Sequence, residues 1–287
     1  MKTQGRSAFI DWLRALAILM VITVHTWSLA HIDAEAFPVL AAVYHLFYRW
    51  GVPLFVMLSG ALQLSSPQGS LRTFYTKRFK RILIPFLIWS TMVYALSCMV
   101  GKYADIHSVG QALLSFIPYM LTNRINEAYW FIALIVVLYA ITPFLQRALQ
   151  PCSRKQLIGL CACWLCYVAL KQFFPSFYLL QYTSKLTYYL GYYVLGYLLY
   201  REWGAQCSVS ENGIIRAVSD GSYMTYLMHM VLITPVYMLI GFHGETAPLW
   251  ACCLVPIATG FVVLAICTLA GWLIKKWLPF YKYAGIS

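Results

Sequence analysis

The chain is 287 residues long, 61% hydrophobic and 10% charged, where a soluble domain carries about 25% charged residues. A water-soluble globule is therefore excluded, and an all-α polytopic bundle of membrane-spanning helices is expected. The formal net charge of +12 would suit a polyanion, but the Lys and Arg residues follow alternate loops between apolar runs, which reads as membrane topology and not as nucleic-acid binding.

The first apolar run, Phe9–Ala30, is long enough to cross a bilayer, yet it carries Asp11, Arg14 and His25. An ionisable group near the centre of a span costs on the order of 2.5–3.5 kcal/mol. On a helix, Arg14 and His25 return to within about 20° of one face, about 16 Å apart along the axis. Asp11 shares that face, so the three form a polar stripe that must point into the bundle. Ala34-Glu35-Ala36 resembles a signal-peptide cleavage site, but the preceding run is too long for a signal core and is interrupted by charge, so it reads as a retained span.

The second span, Val43–Leu64, holds Arg49 in its outer half. Pro53 and Gly60 there read as kink and packing residues. Arg72, Lys77, Arg78, Lys80 and Arg81 precede the third span, Ile82–Gly101, and two readings stand for them: a cytoplasmic anchor, or a clamp for a polyphosphate ligand. Leu113–Leu121 is too short to cross and is expected at the interface. The fourth span, Ala128–Leu149, opens on Tyr129-Trp130-Phe131, either an interfacial aromatic belt or the lining of a site.

Leu157–Phe174 and Leu186–Tyr200 follow, then a polar loop from Arg201 to Asp220, then Tyr223–Phe242 and Pro248–Ile274, making eight spans in one domain over residues 1–287. Ser222, Tyr226 and His229 share one face of the seventh. Cations at Lys2, Arg6, Arg147, Arg154, Lys155, Arg201, Arg216, Lys275, Lys276 and Lys282 sit on one side, so both termini are expected in the cytoplasm. Cys161 and Cys163 point about 200° apart on a helix and cannot share a metal ion. With no glycine-rich nucleotide loop, zinc-protease motif or Gly-x-Ser-x-Gly elbow, no permanently bound cofactor is expected.

Asp11-x-x-Arg14 followed by ten residues and then His25, Arg49-x-x-Val-Pro-Leu-Phe-x-Met-x-Ser-Gly, Arg78-x-x-Arg81-x-x-x-Pro85, Tyr129-Trp130-Phe131 and Ser222-x-x-x-Tyr226-x-x-His229 occur in that order. This set resembles the acyltransferase 3 family of bacterial integral-membrane acyltransferases. The resemblance implies residence in the inner membrane, acetyl-coenzyme A as a cytoplasmic donor, and a hydroxyl of a saccharide or lipid-linked glycan as acceptor. It also implies about ten core spans, two more than are read here, both missing between Gly196 and Ser222.

Acyl transfer from a thioester to an alcohol needs a base, an anchor for the donor and stabilisation of the oxyanion. His25 offers a neutral imidazole as the base. Arg14 suits the donor's phosphates or pantetheine amides, with Asp11 one turn away to orient it. Lys77, Arg78 and Arg81 suit further phosphates, and Arg49 suits the acceptor or the oxyanion. Tyr129, Trp130, Ser222, Tyr226 and His229 complete the candidate substrate-binding set. A proton-coupled transporter also places Arg and His inside a bundle, but it calls for an internal repeat that the two halves lack, and a non-catalytic remnant of the family is the third reading.

The alternating cations make a direct prediction. A topology reporter fused after Ser287 should read cytoplasmic and one inserted near Glu245 periplasmic; an outward C-terminus would require an odd number of spans.

Overall fold

The computed structural model describes residues 7–67, 69–174, 185–204, 206–207 and 209–287. Its elements are all helical: α1 (Ala8–Leu29), α2 (Pro38–Phe47), α3 (Gly51–Leu64), α4 (Leu71–Met99), α5 (Val109–Leu121), α6 (Trp130–Leu149), α7 (Arg154–Phe173), α8 (Lys185–Trp203), α9 (Gly213–Ile240) and α10 (Leu249–Trp277). Short 3-10 turns cover Tyr48–Trp50, Glu127–Tyr129 and Tyr281–Ala284. Lys2 and Arg6 lie outside the described residues.

Seven helical stretches among the described residues are long and apolar enough to cross a membrane, one of them running through α2 and α3 together. The expected eighth span, Leu186–Tyr200, does form as α8, but six tyrosines in its 19 residues leave it short of that apolarity. Two boundaries differ from expectation. The second span begins at Pro38 and is broken by the turn at Tyr48–Trp50, where Arg49 sits. The expected loop from Arg201 to Asp220 is shorter: its last part, from Gly213, is the start of α9, which begins there because the Asn212 side chain accepts from the Ile214 and Ile215 amides.

The polar face of α1 settles the packing, for α1 lies against α3, α9 and α10. Toward its C-terminal end, the Thr26 hydroxyl donates to the Pro256 carbonyl at 2.8 Å and the Tyr237 hydroxyl donates to the Thr26 carbonyl at 2.7 Å. Elsewhere the Gln146 amide donates to the Gln63 carbonyl at 2.6 Å, tying α6 to α3. Outside the spans, the Tyr119 hydroxyl donates to the Asp105 carboxylate and, with Arg124 at 3.6 Å, holds that carboxyl below the usual carboxylate range.

α3 and α8 pack backbone to backbone: a Cβ on Gly60 would overlap the Tyr193 carbonyl, and one on Gly196 the Met57 carbonyl. Small residues are what let two spans approach so closely in lipid. Gly196→Leu should therefore lower the melting temperature in detergent, overpacking of this kind costing about 1–3 kcal/mol. Gly213→Ala, where an added Cβ meets nothing within 4 Å, should leave it unchanged or raise it; equal effects of the two would refute this account of the interface.

Candidate active site

α1 and α9 run side by side with their polar residues matched. At the cation-rich end, the Ser219 hydroxyl donates to the Asp11 carboxylate at 2.6 Å, both groups buried. Further along, the rings of His25 and His229 lie 5.1 Å apart. His229 is fully buried, and its Nδ1 is 2.7 Å from the Tyr226 carbonyl oxygen. A carbonyl only accepts, so Nδ1 bears the hydrogen and Nε2 presents a lone pair. That Nε2 has no hydrogen-bond partner among the described residues.

Below the histidine pair lies a cavity of ≈ 420 Å³. Three guanidinium groups line it, Arg14 from α1 and Arg78 and Arg81 from the first turns of α4, together with Ser222 and Tyr226 from α9. Tyr226 stands at the join. It lines the cavity, its ring lies 5.7 Å from that of His229, and its hydroxyl donates to the Ala128 carbonyl. The far wall comes from the chain after α10: Gly285 and Ser287 line the cavity, with the Trp89 indole donating to the Ala284 carbonyl at 2.9 Å and the Ser287 amide to the Asp220 carbonyl at 3.0 Å. Lys275 in turn pairs with Asp220 at 2.8 Å.

The cavity thus gathers Arg14, Arg78, Arg81, Ser222 and Tyr226, while the other candidates lie elsewhere. His25 and His229 sit beyond its Tyr226 end. Lys77 is exposed on α4 outside the lining. Arg49 is exposed at the break before α3, its charge reaching Tyr189. Trp130 packs on Tyr189 at 5.6 Å and under the Lys185 ammonium at 4.9 Å. Tyr129 is buried, its hydroxyl donating to the Leu227 carbonyl at 3.3 Å and its ring 5.2 Å from Phe86.

Sequence reasoning missed Ser219 and Tyr223 on α9, Tyr139 on α6 and the tail residues Gly285 and Ser287. Ser219 stands three residues before Ser222 and on the same face, a signal obscured once the helix was taken to start at Tyr223. The tail carries no comparable periodic signal. Among the described residues no group of three His, Cys, Asp or Glu side chains is placed to hold a metal ion; Cys161 is buried, and Cys163 and Cys166 are exposed.

A helical bundle with seven membrane-crossing stretches, a cationic cavity and a buried histidine pair defines a multi-pass membrane protein with a polar site inside it. Residues 7–210 match the acyltransferase domain of the acyltransferase 3 family, and the chain belongs to that family. The match ends before α9, so Ser219, Ser222, Tyr226 and His229 lie beyond it. No match was found among curated proteins or among solved structures.

Ser219→Ala tests the α1–α9 pairing. Withdrawing a donor from the buried Asp11 carboxylate should destabilise the protein by about 1.5–3 kcal/mol, seen as a lower melting temperature in detergent. An unchanged melting temperature would mean that this hydrogen bond does not hold the two helices together.

Proposed function

We propose that this protein is an O-acetyltransferase of the inner membrane, with both termini in the cytoplasm, that moves an acetyl group from cytoplasmic acetyl-coenzyme A to a hydroxyl of a cell-surface or lipid-linked glycan. The motif order resembles that of the inner-membrane O-acetyltransferase that decorates enterobacterial common antigen, which is the reason for proposing a glycan acceptor. The observation that carries the reading is the convergence of Arg14, Arg78 and Arg81 on one cavity, below a histidine pair that shares α1 and α9 with it.

In this mechanism the three guanidinium groups hold the donor's phosphates through charge-assisted, bidentate hydrogen bonds. Asp11, fixed by Ser219, steadies the first turns of α1 from which Arg14 projects. The roughly 16 Å rise from Arg14 to His25 lets an extended pantetheine arm run past Ser222 and Tyr226 toward the histidines. His25 takes the proton of the acceptor hydroxyl as its oxygen attacks the thioester carbonyl carbon. The tetrahedral intermediate collapses with cleavage of the C–S bond, and the departing coenzyme A thiolate recovers the proton from the imidazolium. Lys77 adds positive charge outside the cavity. On the far side Arg49 and Trp130 both approach Tyr189, and with Tyr129 they are assigned to the acceptor.

Arg14 and His25 should fail differently although they share one helix face. His25→Ala should abolish transfer, a loss of about 10²–10⁴-fold, while leaving donor binding nearly intact. Arg14→Ala should weaken donor binding about tenfold or more, and the Arg78→Gln, Arg81→Gln double variant should do likewise without disturbing insertion. Labelled acetyl-coenzyme A with reconstituted protein and glycan acceptor supplies both readouts. A transporter would show lost flux in each variant and no transfer by the parent, and a remnant would release no coenzyme A; parental transfer by His25→Ala would refute the mechanism.

A further inference from the structure

On the outside of the bundle, where α1, α9 and α10 meet, runs an apolar groove of ≈ 740 Å³. Trp12, Leu16 and Leu19 of α1 form one side, and Phe261, Leu269 and Trp272 of α10 the other. Thr268 also lines it, but its hydroxyl is spent on the Leu264 carbonyl at 2.7 Å, leaving its methyl to the groove. From Phe261 to Trp272 the helix advances eleven residues, about 16 Å. That is close to the ~15 Å hydrocarbon depth of one leaflet, half of a ~30 Å core.

At its cation-rich end the groove opens into a second recess of ≈ 350 Å³, with which it shares Gly213, Ala217 and Trp272. Arg216, Lys275 and Lys276 line this recess against one carboxylate, Asp220. Lys275 is committed to Asp220 at 2.8 Å. Lys276 lies between two indoles, Trp272 at 5.0 Å and Trp277 at 5.2 Å. Arg216 is exposed; Glu211 and Asp11 share an adjoining recess with it, and Asp11 accepts there from Ser219. Two cations therefore remain where a leaflet-deep apolar groove meets the interfacial tryptophans.

We propose that the groove and recess together form a site for one anionic phospholipid, one acyl chain lying in the groove and the phosphate held by Arg216 and Lys276. A guanidinium and an ammonium suit a phosphate diester, and tryptophans mark the depth at which headgroups sit. Lipid chains are as apolar as the helix surface, so burying one in the groove brings no hydrophobic gain over the bulk bilayer. Selectivity must come from the headgroup charge, and the groove supplies a shape that one chain fills. A zwitterionic phospholipid fits the groove equally and offers the same phosphate, but it brings its own ammonium into a recess that is already cationic. The site is independent of the acyl-transfer reading. It lies on the side of α1 opposite Arg14, so an occupied groove braces that helix from behind.

The test is native mass spectrometry of the delipidated full chain in detergent, offered dioleoyl phosphatidylglycerol or dioleoyl phosphatidylcholine. One phosphatidylglycerol should survive activation that strips phosphatidylcholine. The double variant Arg216→Gln, Lys276→Gln should lose that retention about tenfold or more, each cation near an anionic headgroup being worth about 1 kcal/mol. Ala265→Trp, at an exposed position in the groove, should lose it with every charge in place and so separates lipid loss from misfolding of the double variant. Equal retention of the two lipids, parental retention by either variant, or displacement of the lipid by glycerol phosphate without a chain would each overturn the proposal.

Discussion

Inside hydrocarbon no water is at hand to solvate a side chain, so every polar group on a span has to find its partner within the bundle. α1 meets that constraint along its whole length: Ser219 answers Asp11, His229 lies against His25, and Tyr237 and Pro256 engage Thr26. These pairings fix the rotation of α1 about its own axis. Arg14 is then directed into the cavity, and Trp12, Leu16 and Leu19, about half a turn away, are directed outward to the groove.

The cavity draws on both ends of the sequence. Arg14, Arg78 and Arg81 come from the stretch that matches the family, whereas Ser222, Tyr226 and the tail residues come from beyond residue 210. The two parts are far apart in sequence and meet where α1 packs on α9 and where α4 packs on α9 and the tail, the Tyr223 hydroxyl donating to the Ile82 carbonyl at 2.8 Å. Membership of the family therefore describes the cationic wall better than the opposite one. The polar link from Lys275 through Asp220 to Ser287 holds that second wall in place.

Much of the fold was legible because spanning helices announce themselves by length and apolarity, and because Asp11, Arg14 and His25 are too costly at that depth to be accidental. What escaped was whatever depends on caps and breaks. The start of α9 rests on one side chain, Asn212, and the break at Tyr48–Trp50 has no proline or glycine within it, Gly51 and Pro53 standing just after it in α3. In α8 the tyrosines make a helix that packs well on α3 yet is less apolar than its neighbours. Of the candidate site, the residues that share helix faces were readable from spacing. Ser219, hidden by the misplaced helix start, and the tail, which closes the cavity without any repeat in its sequence, were not.

The partner of Asp11 stands 208 residues further along the chain. A ribosome adding about 5–20 residues per second thus leaves α1 in or beside the bilayer for roughly ten seconds or more before the Ser219 hydroxyl exists. Its later neighbour α3 meets it closely in that interval, with Gly51 set against Val21, and brings Ser59 and Gln63 to the cavity that Arg14 lines. The Asp11 carboxylate can therefore take its place beside Ser219 only once α9 has emerged. The α1–α9 contact is consequently a late event of synthesis, in which a helix made early is secured by one made 208 residues later.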